Sequence, residues 1–356
     1  MSNINLDQVA EVPNNIGPSV TLNSLIDIVN KMPPQNFLYK GIKIPSMGAI
    51  FGVPKAGKTI LAETLGFSVA AGLKEFLGEK LNAGNNRVLL FGLEEYFQSR
   101  TKRNEKQIEY FTKAYDLSPD WTNNIYVVGE DFPKHFQKED DWELLDKEIE
   151  RIKPTLVMID SLTRLTQDAI EESTVASKLM LRLKEITHKH NIALILIHHT
   201  FKMEDRPITL STLAGSRVVG QELDFLIGVN RSTDNVRYIK DVVYRYADDN
   251  DDQVLIFEIN DHLVIEAKNK SNEFKLLQGS KSFGGENNSD TKLLQYFMDC
   301  TEGDCSVIIE AKDLVENLVT TKAMSKPTLY ASLKRLIKDG EIWQPDSGKY
   351  ALKTKS

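Results

Sequence analysis

The sequence predicts an α/β chain in which a twisted, mostly parallel sheet is covered by helices and followed by a small helical module. Three observations predict it. Between Leu22 and Glu266, apolar runs of strand length alternate with stretches of helical period, the pattern of a parallel sheet buried on both faces. Residues Gly52 to Thr59 read GVPKAGKT, a complete G-x-x-x-x-G-K-[ST] loop, set between the apolar run Met47–Phe51 and the helix-like stretch Ile60–Ala71. A polar segment, Lys268 to Asp290, then separates this region from a basic tail.

Taken in order, residues 1–19 read as a flexible lead, with Pro13, Gly17 and Pro18 and little to bury. The core is expected over 20–267, a linker over 268–289 and the tail module over 290–356. Strands are expected at Gly48–Phe51, Val88–Gly92, Ile125–Val128, Thr155–Ile159, Ala193–Ile197 and Phe225–Val229. Arg237–Tyr246 and Val254–Ile259 read as a hairpin around the acidic turn Asp248–Asp252. Helices are expected at Thr59–Ala71, Phe97–Ala114, Asp141–Ile152 and Thr174–His190.

Composition narrows the class. The 356 residues are 41% apolar and 27% charged, values of an ordinary globular protein. No apolar run approaches the ~20 residues that cross a bilayer, and the polar, acidic N-terminus lacks a secretion-signal pattern. Two cysteines, Cys300 and Cys305, read as free thiols of a reducing compartment, and the expected location is cytoplasmic. The net charge of −7 is unevenly spread, because residues 322–356 carry an excess of +5 and the remainder −12. That asymmetry points to a tail with an anionic partner.

The loop carries the most specific chemistry. Gly52 and Gly57 allow a tight turn whose successive amides point into one concavity that accepts phosphate oxygens. The helix starting near Lys58 adds the positive end of its dipole. Gly52, Val53, Pro54, Lys55, Ala56, Gly57, Lys58, Thr59 and Ile60 are the expected nucleotide-binding residues. Lys58 is expected to reach the β- and γ-phosphates and Thr59 to ligate Mg²⁺, so the expected ligands are ATP and Mg²⁺.

Three strand ends complete the constellation. TLVMID ends in Asp160, placed to hold the metal through water, although many strands end in Asp for turn chemistry. Val88–Gly92 leads to Glu94 and Glu95, where a carboxylate could activate water or simply face solvent. Ala193–Ile197 leads to His198, His199 and Thr200, where a polar tip could sense the γ-phosphate. Metal ligation by both histidines is disfavoured, since neighbours on a strand point to opposite faces.

This order of motifs (the phosphate loop, FGLEEY followed by Arg100 and Arg103, LVMIDSL, LIHHTFK, then LAGSRVVGQELDFLI) resembles the RecA-like P-loop ATPases. Among them it is most similar to the RepA-type replicative helicases of small plasmids, over roughly Leu22 to Glu266. The resemblance implies Glu94 as catalytic glutamate, Asp160 as the Mg²⁺-associated acid and His199, within the His198–Thr200 tip, as sensor. It also implies a homo-oligomeric ring, usually a hexamer, in which a neighbour supplies an arginine, and single-stranded DNA in its pore. Relatives commonly have Arg-Gly-Ser where this chain has Ala214, Gly215 and Ser216, so Arg245 and Arg217 both stand as candidates for that arginine. Pore loops would fall between Thr200 and Thr212 and at Ala214–Gly220, with Lys202, Arg206 and Arg217 as their basic residues.

The tail reads as three helices, Asp290–Cys300, Ala311–Val319 and Lys326–Asp339, closed by a hairpin of EIWQP and KYALK. The third helix buries Leu329, Leu333, Leu336 and Ile337 at helical spacing. The pattern looks like a winged helix, with Lys326, Thr328, Lys334, Arg335 and the wing residue Lys349 as its DNA contacts. A protein-docking face is the rival reading of the tail. For the whole chain, the rivals are an ATP-gated DNA-binding regulator and a recombination-type ATPase that does not unwind.

Overall fold

Strands too short and too apolar to stand alone are stabilised by one shared ladder, and a nine-stranded sheet forms the core of the N-terminal unit. The computed structural model describes residues 19–82, 84–201, 206–232, 234–247, 253–278, 289–301, 307–321, 323–338 and 340–353. The expected lead (1–18), the turn Asp248–Asp252, residues 279–288 of the expected linker, Lys202 and Cys305 lie outside the described residues. The chain divides into two units, Met1–Ser280 and Lys281–Ser356.

The first unit begins with helix α1 (Leu22–Lys31), N-capped by the Thr21 hydroxyl. A hairpin of β1 (Asn36–Tyr39) and β2 (Ile42–Ile44) leads into β3 (Ser46–Gly52), and helix α2 (Lys58–Ala70) follows the phosphate loop. A short ribbon pairs β4 (Glu75–Phe76) with β5 (Glu79–Lys80). Next come β6 (Val88–Gly92), α3 (Phe97–Ala114), β7 (Ile125–Val127), α4 (Glu139–Ile152) and β8 (Leu156–Asp160). Helix α5 (Ser173–His190), β9 (Ala193–His199) and α6 (Arg217–Glu222) precede β10 (Phe225–Arg231). Strands β11 (Arg237–Tyr244), β12 (Gln253–Ile259) and β13 (Ile265–Asn272) and helix α7 (Glu273–Gln278) complete the unit.

Across the sheet the order is β13-β12-β11-β10-β3-β9-β8-β6-β7. From β10 to β7 all neighbours are parallel, and from β10 to β13 all are antiparallel, including the expected β11–β12 hairpin. Alternation along β3 divides the core. Met47, Ala49 and Phe51 pack on the side of α4 and α5 (Leu145, Ile149, Leu183). Ile50 packs on the other side with α2 and α3 (Leu61, Leu65, Phe111). Helix α2 is buried nearly all round, so it carries no amphipathic pattern.

The expected linker starts too early. Residues 268–272 belong to β13, which pairs with β12 from Ile265↔Ile259 to Asn272↔Gln253, and α7 follows. An edge strand keeps one face in water, so its composition reads as a linker's would. Glu273 anchors the junction: its carboxylate, 4% exposed, accepts from Lys240 Nζ at 2.5 Å, Tyr238 Oη at 2.9 Å and Ile208 N at 2.7 Å. Helix α1 and the β1–β2 hairpin are further elements that the pattern did not announce.

The second unit contains α8 (Ser289–Thr301), β14 (Ile309–Glu310) and α9 (Ala311–Leu314), which runs on into a wider helical turn over Val315–Thr320. Helix α10 (Lys326–Lys338), β15 (Ile342–Asp346) and β16 (Lys349–Leu352) follow, and the strands pair antiparallel in the order β14-β16-β15. Leu329, Leu333 and Leu336 are buried as their spacing predicts, whereas Ile337 is half-buried. Gly340, at φ +78°, closes α10 in the left-handed conformation while Glu341 N donates to Leu336 O at 3.0 Å.

The two faces of α5 give a test of the packing. Leu183 is 0% and Leu181 58% exposed. Leu183→Ala is expected to lower unfolding stability by about 2–5 kcal/mol in denaturant titrations, and Leu181→Ala by less than about 0.5 kcal/mol.

Candidate functional site

Parallel register gathers the site at the C-terminal edge of the sheet, where open α/β sheets bind their ligands. Gly52 of β3 stands opposite His199 of β9, Asp160 of β8 opposite Ile197 of β9, and Gly92 of β6 opposite Asp160. Cross-strand amides tie these tips together: Thr200 N donates to Gly52 O at 3.3 Å and Leu93 N to Asp160 O at 2.7 Å.

The phosphate loop has the backbone that its chemistry requires. A Cβ on Gly52 would lie 1.8 Å from Val229 O of β10, so the close approach excludes any side chain there. Gly57 caps α2 at φ +111° and offers no side-chain acceptor, leaving the first-turn amides free for a ligand. Pro54 and Lys55 are exposed, Val53, Thr59 and Ile60 half-buried, and Ala56 and Lys58 buried. Lys58 Nζ lies inside the turn, donating to Gly52 O at 3.1 Å and Val53 O at 3.0 Å. Burial pushes its pKa down, against the opposing pull of Asp160 and Glu94.

Thr59 Oγ1 donates to Asp160 Oδ2 at 2.6 Å. A hard divalent cation prefers such a pairing of hydroxyl and carboxylate oxygens beside phosphates, so these two residues fit Mg²⁺. Burial raises the Asp160 pKa, with Thr59 opposing. Glu94 lies across from them. His199 Nε2 stands 3.8 Å from Glu94 Oε1, an ion-pair separation, and Ser161 Oγ donates to the same oxygen. His199 first, then Ser161, overcome desolvation and hold the Glu94 carboxyl at about 2, so it is ionised at neutral pH.

The two adjacent histidines part as strand alternation demands. His199 is half-exposed beside Glu94, while His198 is 1% exposed and donates from Nε2 to Ala214 O at 3.0 Å. Since a carbonyl only accepts, Nε2 carries the proton and Nδ1 is bare. Burial lowers the His198 pKa to about 4.

The candidate arginines separate too. Arg217 is exposed at the first position of α6. Arg245 caps the far end of that helix, donating from Nε to Leu223 O at 3.2 Å and from Nη2 to Gln221 O at 2.5 Å, with Asp224 Oδ1 3.8 Å away. Arg103 is a residue whose role the sequence did not specify. It bridges Glu63 of α2 and Glu95 after β6 at 2.7–2.8 Å. Its position one helical turn after Arg100, on the face towards α2, was the available signal.

In the tail unit, Lys326 and Lys334 are exposed along α10. Thr328 instead pairs its hydroxyl with Ser325 at 2.6 Å. Arg335 is engaged bidentately by Asp290, both contacts at 2.7 Å, and Lys349 stands 3.6 Å from Asp346.

A family model described as an AAA domain matches residues 18–205, more than half of the chain and the whole stretch from α1 through the tip of β9. The chain belongs to this AAA-domain family. With the loop and acids arranged as above, the AAA-domain unit is an ATPase core of the RecA-like kind. Among solved structures, a KaiC-like protein of the hyperthermophilic archaeon Pyrococcus horikoshii OT3 is similar, at 16% identity and a TM-score of 0.46, over 66% of this chain and 100% of that one. No curated protein sequence matches this AAA-domain chain. Among its described residues, no helix is long and apolar enough to cross a membrane.

His198 provides a pH test of the site. Its folded pKa lies below its unfolded one, so the unfolded chain binds more protons between about pH 6.5 and 4. The stability from burying the neutral ring is full above pH 6.5 and is lost as the pH falls towards 4, on the order of 3 kcal/mol. His198→Asn is expected to lack that component when denaturant midpoints at pH 7 and 4.5 are compared with those of the parent.

Proposed function

We propose that this ATPase is a DNA-acting motor, a replicative helicase of the RepA type that hydrolyses ATP at the subunit interfaces of a hexameric ring. The observation that supports it most is the Glu94–His199 pair. It joins the water-activating acid to the tip of β9, and Ala214 N hydrogen-bonds His199 O at 3.0 Å, joining that tip to the segment before α6. In this reading Glu94 orients the attacking water and takes its proton. His199 moving towards the γ-phosphate removes the main influence that keeps Glu94 acidic, which links chemistry to movement of the segments 206–213 and 214–220. Arg206 and Arg217 in those segments would meet single-stranded DNA. A magnesium ion held by Thr59 and, through water, by Asp160 would neutralise charge on the transferred phosphoryl group.

The neighbour's arginine is assigned to Arg217, because Arg245 is occupied at the end of α6. The tail is read as a winged helix in which Lys326, Tyr330, Lys334 and Lys338 form one exposed row along α10. Such a row suits the major groove of duplex DNA, with lysines on phosphates. It also favours a second reading, an ATP-gated duplex-binding regulator, in which that row gives the main DNA contact.

Glu94→Gln is expected to lower ATP turnover about 10²–10⁴-fold while calorimetric ATP binding persists. Strand unwinding is expected to be lost in Lys58→Ala, and equal unwinding by that variant and the parent would refute the motor. ATPase activity unmoved by single-stranded DNA, together with a sequence-specific duplex footprint that Lys334→Glu weakens, would select the regulator instead.

A further inference from the structure

Behind the metal-side acids lies a cavity of ≈ 30 Å³, lined by Thr59, Glu63, Gly92, Glu95, Arg100 and Asp160 among others. Arg100 enters it from α3. The residue is 4% exposed, and its guanidinium is fixed by one bond, Nη2 to Val128 O at 3.2 Å. Nε and Nη1 are buried and meet no acceptor among the described residues. Nη1 lies against Gly92, so close that a Cβ there would fall 1.5 Å from it, and Gly92 is the register partner of Asp160.

A buried guanidinium with donors unmet is strongly unfavourable, so those donors need a partner. The walls decide which kind. Glu63, Glu95 and Asp160 all interact favourably with the Arg100 charge, and acids on three sides repel an anion. The volume suits one water molecule and is too small for a phosphate. Arg103 already binds Glu63 and Glu95 directly. Asp160, whose Oδ2 accepts from Thr59, is the wall acid with no such arginine contact among the described residues.

We propose that Arg100 is a positioning residue for the metal-side acid, donating through one ordered water in this cavity to the Asp160 carboxylate. Water mediation holds Asp160 in the orientation that Thr59 shares, without a direct ion pair that would compete with the cation. Such outer partners of a metal-side ligand typically tune cation affinity about 10–100-fold. The inference rests on the magnesium-dependent ATPase reading, and its tests separate the two.

The direct test is a high-resolution crystal structure of the protein. A water within about 3.2 Å of Nη1 or Nε and of an Asp160 oxygen supports the proposal, and a cavity in which Arg100 finds no water, or a water bonded to Glu95 alone, overturns it. The second test is a Mg²⁺ titration of binding to a fluorescent ATP analogue. Arg100→Met is expected to raise the Mg²⁺ half-point about tenfold while analogue binding without Mg²⁺ is unchanged. Arg100→Lys, which keeps the charge and loses the fork, is expected to fall between. Half-points equal to the parent's in folded variants, with only a changed Tm, would show a structural role and reject the proposal. Should Arg100→Met fail to fold, Arg100→Lys decides. Should the parent itself bind the analogue without regard to Mg²⁺, the magnesium reading fails and the cavity water alone decides the place of Arg100.

Discussion

The hydrogen-bond register between parallel strands is the constraint from which the rest of this structure follows. Side chains alternate along each strand, so a slip of one residue would turn His199 into the core and bring His198 out to the nucleotide edge. In the register observed, Ile50, Ile197, Asp160 and Gly92 stand in one row across β3, β9, β8 and β6, and the Gly52–His199 pair lies two residues further along. The ladder thereby sets the spacing of the phosphate loop, the β9 tip, Asp160 and the segment that carries Glu94. Placing β9 between β3 and β8 gives its tip direct backbone contact with the loop, through Thr200 N and Gly52 O.

Electrostatic balance is the second condition of the site. Four carboxylates, Glu63, Glu94, Glu95 and Asp160, crowd one edge of a desolvated sheet, where like charges raise each other's pKa. Each has its own compensation. Arg103 takes Glu63 and Glu95, His199 and Ser161 take Glu94, and Thr59 takes Asp160. The outcome is uneven by design of the packing: Glu94 is held at about 2, while burial pushes Asp160 up. Neighbouring acids with opposed shifts are the pattern expected where one acts on water and another on a cation.

Much of this was legible before any coordinates. The eight strands expected in the core all occur, because continuous apolar runs such as ALILI and LVMI have only a two-sided burial to satisfy them. The phosphate loop, Asp160, Glu94 and His199 lie together at one edge because each follows such a run, and strand ends are where the sheet delivers side chains. What was misread has one cause. Residues 268–278 look polar enough for a linker, yet Glu273 is buried because Lys240 and Tyr238, more than thirty positions earlier, wait for it. Arg335 pairs with Asp290 and Arg245 with the end of α6, contacts that spacing along the chain did not announce. A charged side chain's partner is a fact of three-dimensional proximity, and periodicity carries no information about it.

Local sequence by itself determined the secondary structure of the core, the backbone of the phosphate loop and the kinds of groups present at the site. Those depend on steric freedom at Gly52 and Gly57 and on the burial of apolar runs, which are properties of a few adjacent residues. Only the tertiary structure decided which acid faces which cation, which histidine is dry, and that Arg100 ends in a small cavity that Asp160 also lines. Those depend on the order of strands in the sheet, which brings together residues far apart in the chain and sets the dielectric around each.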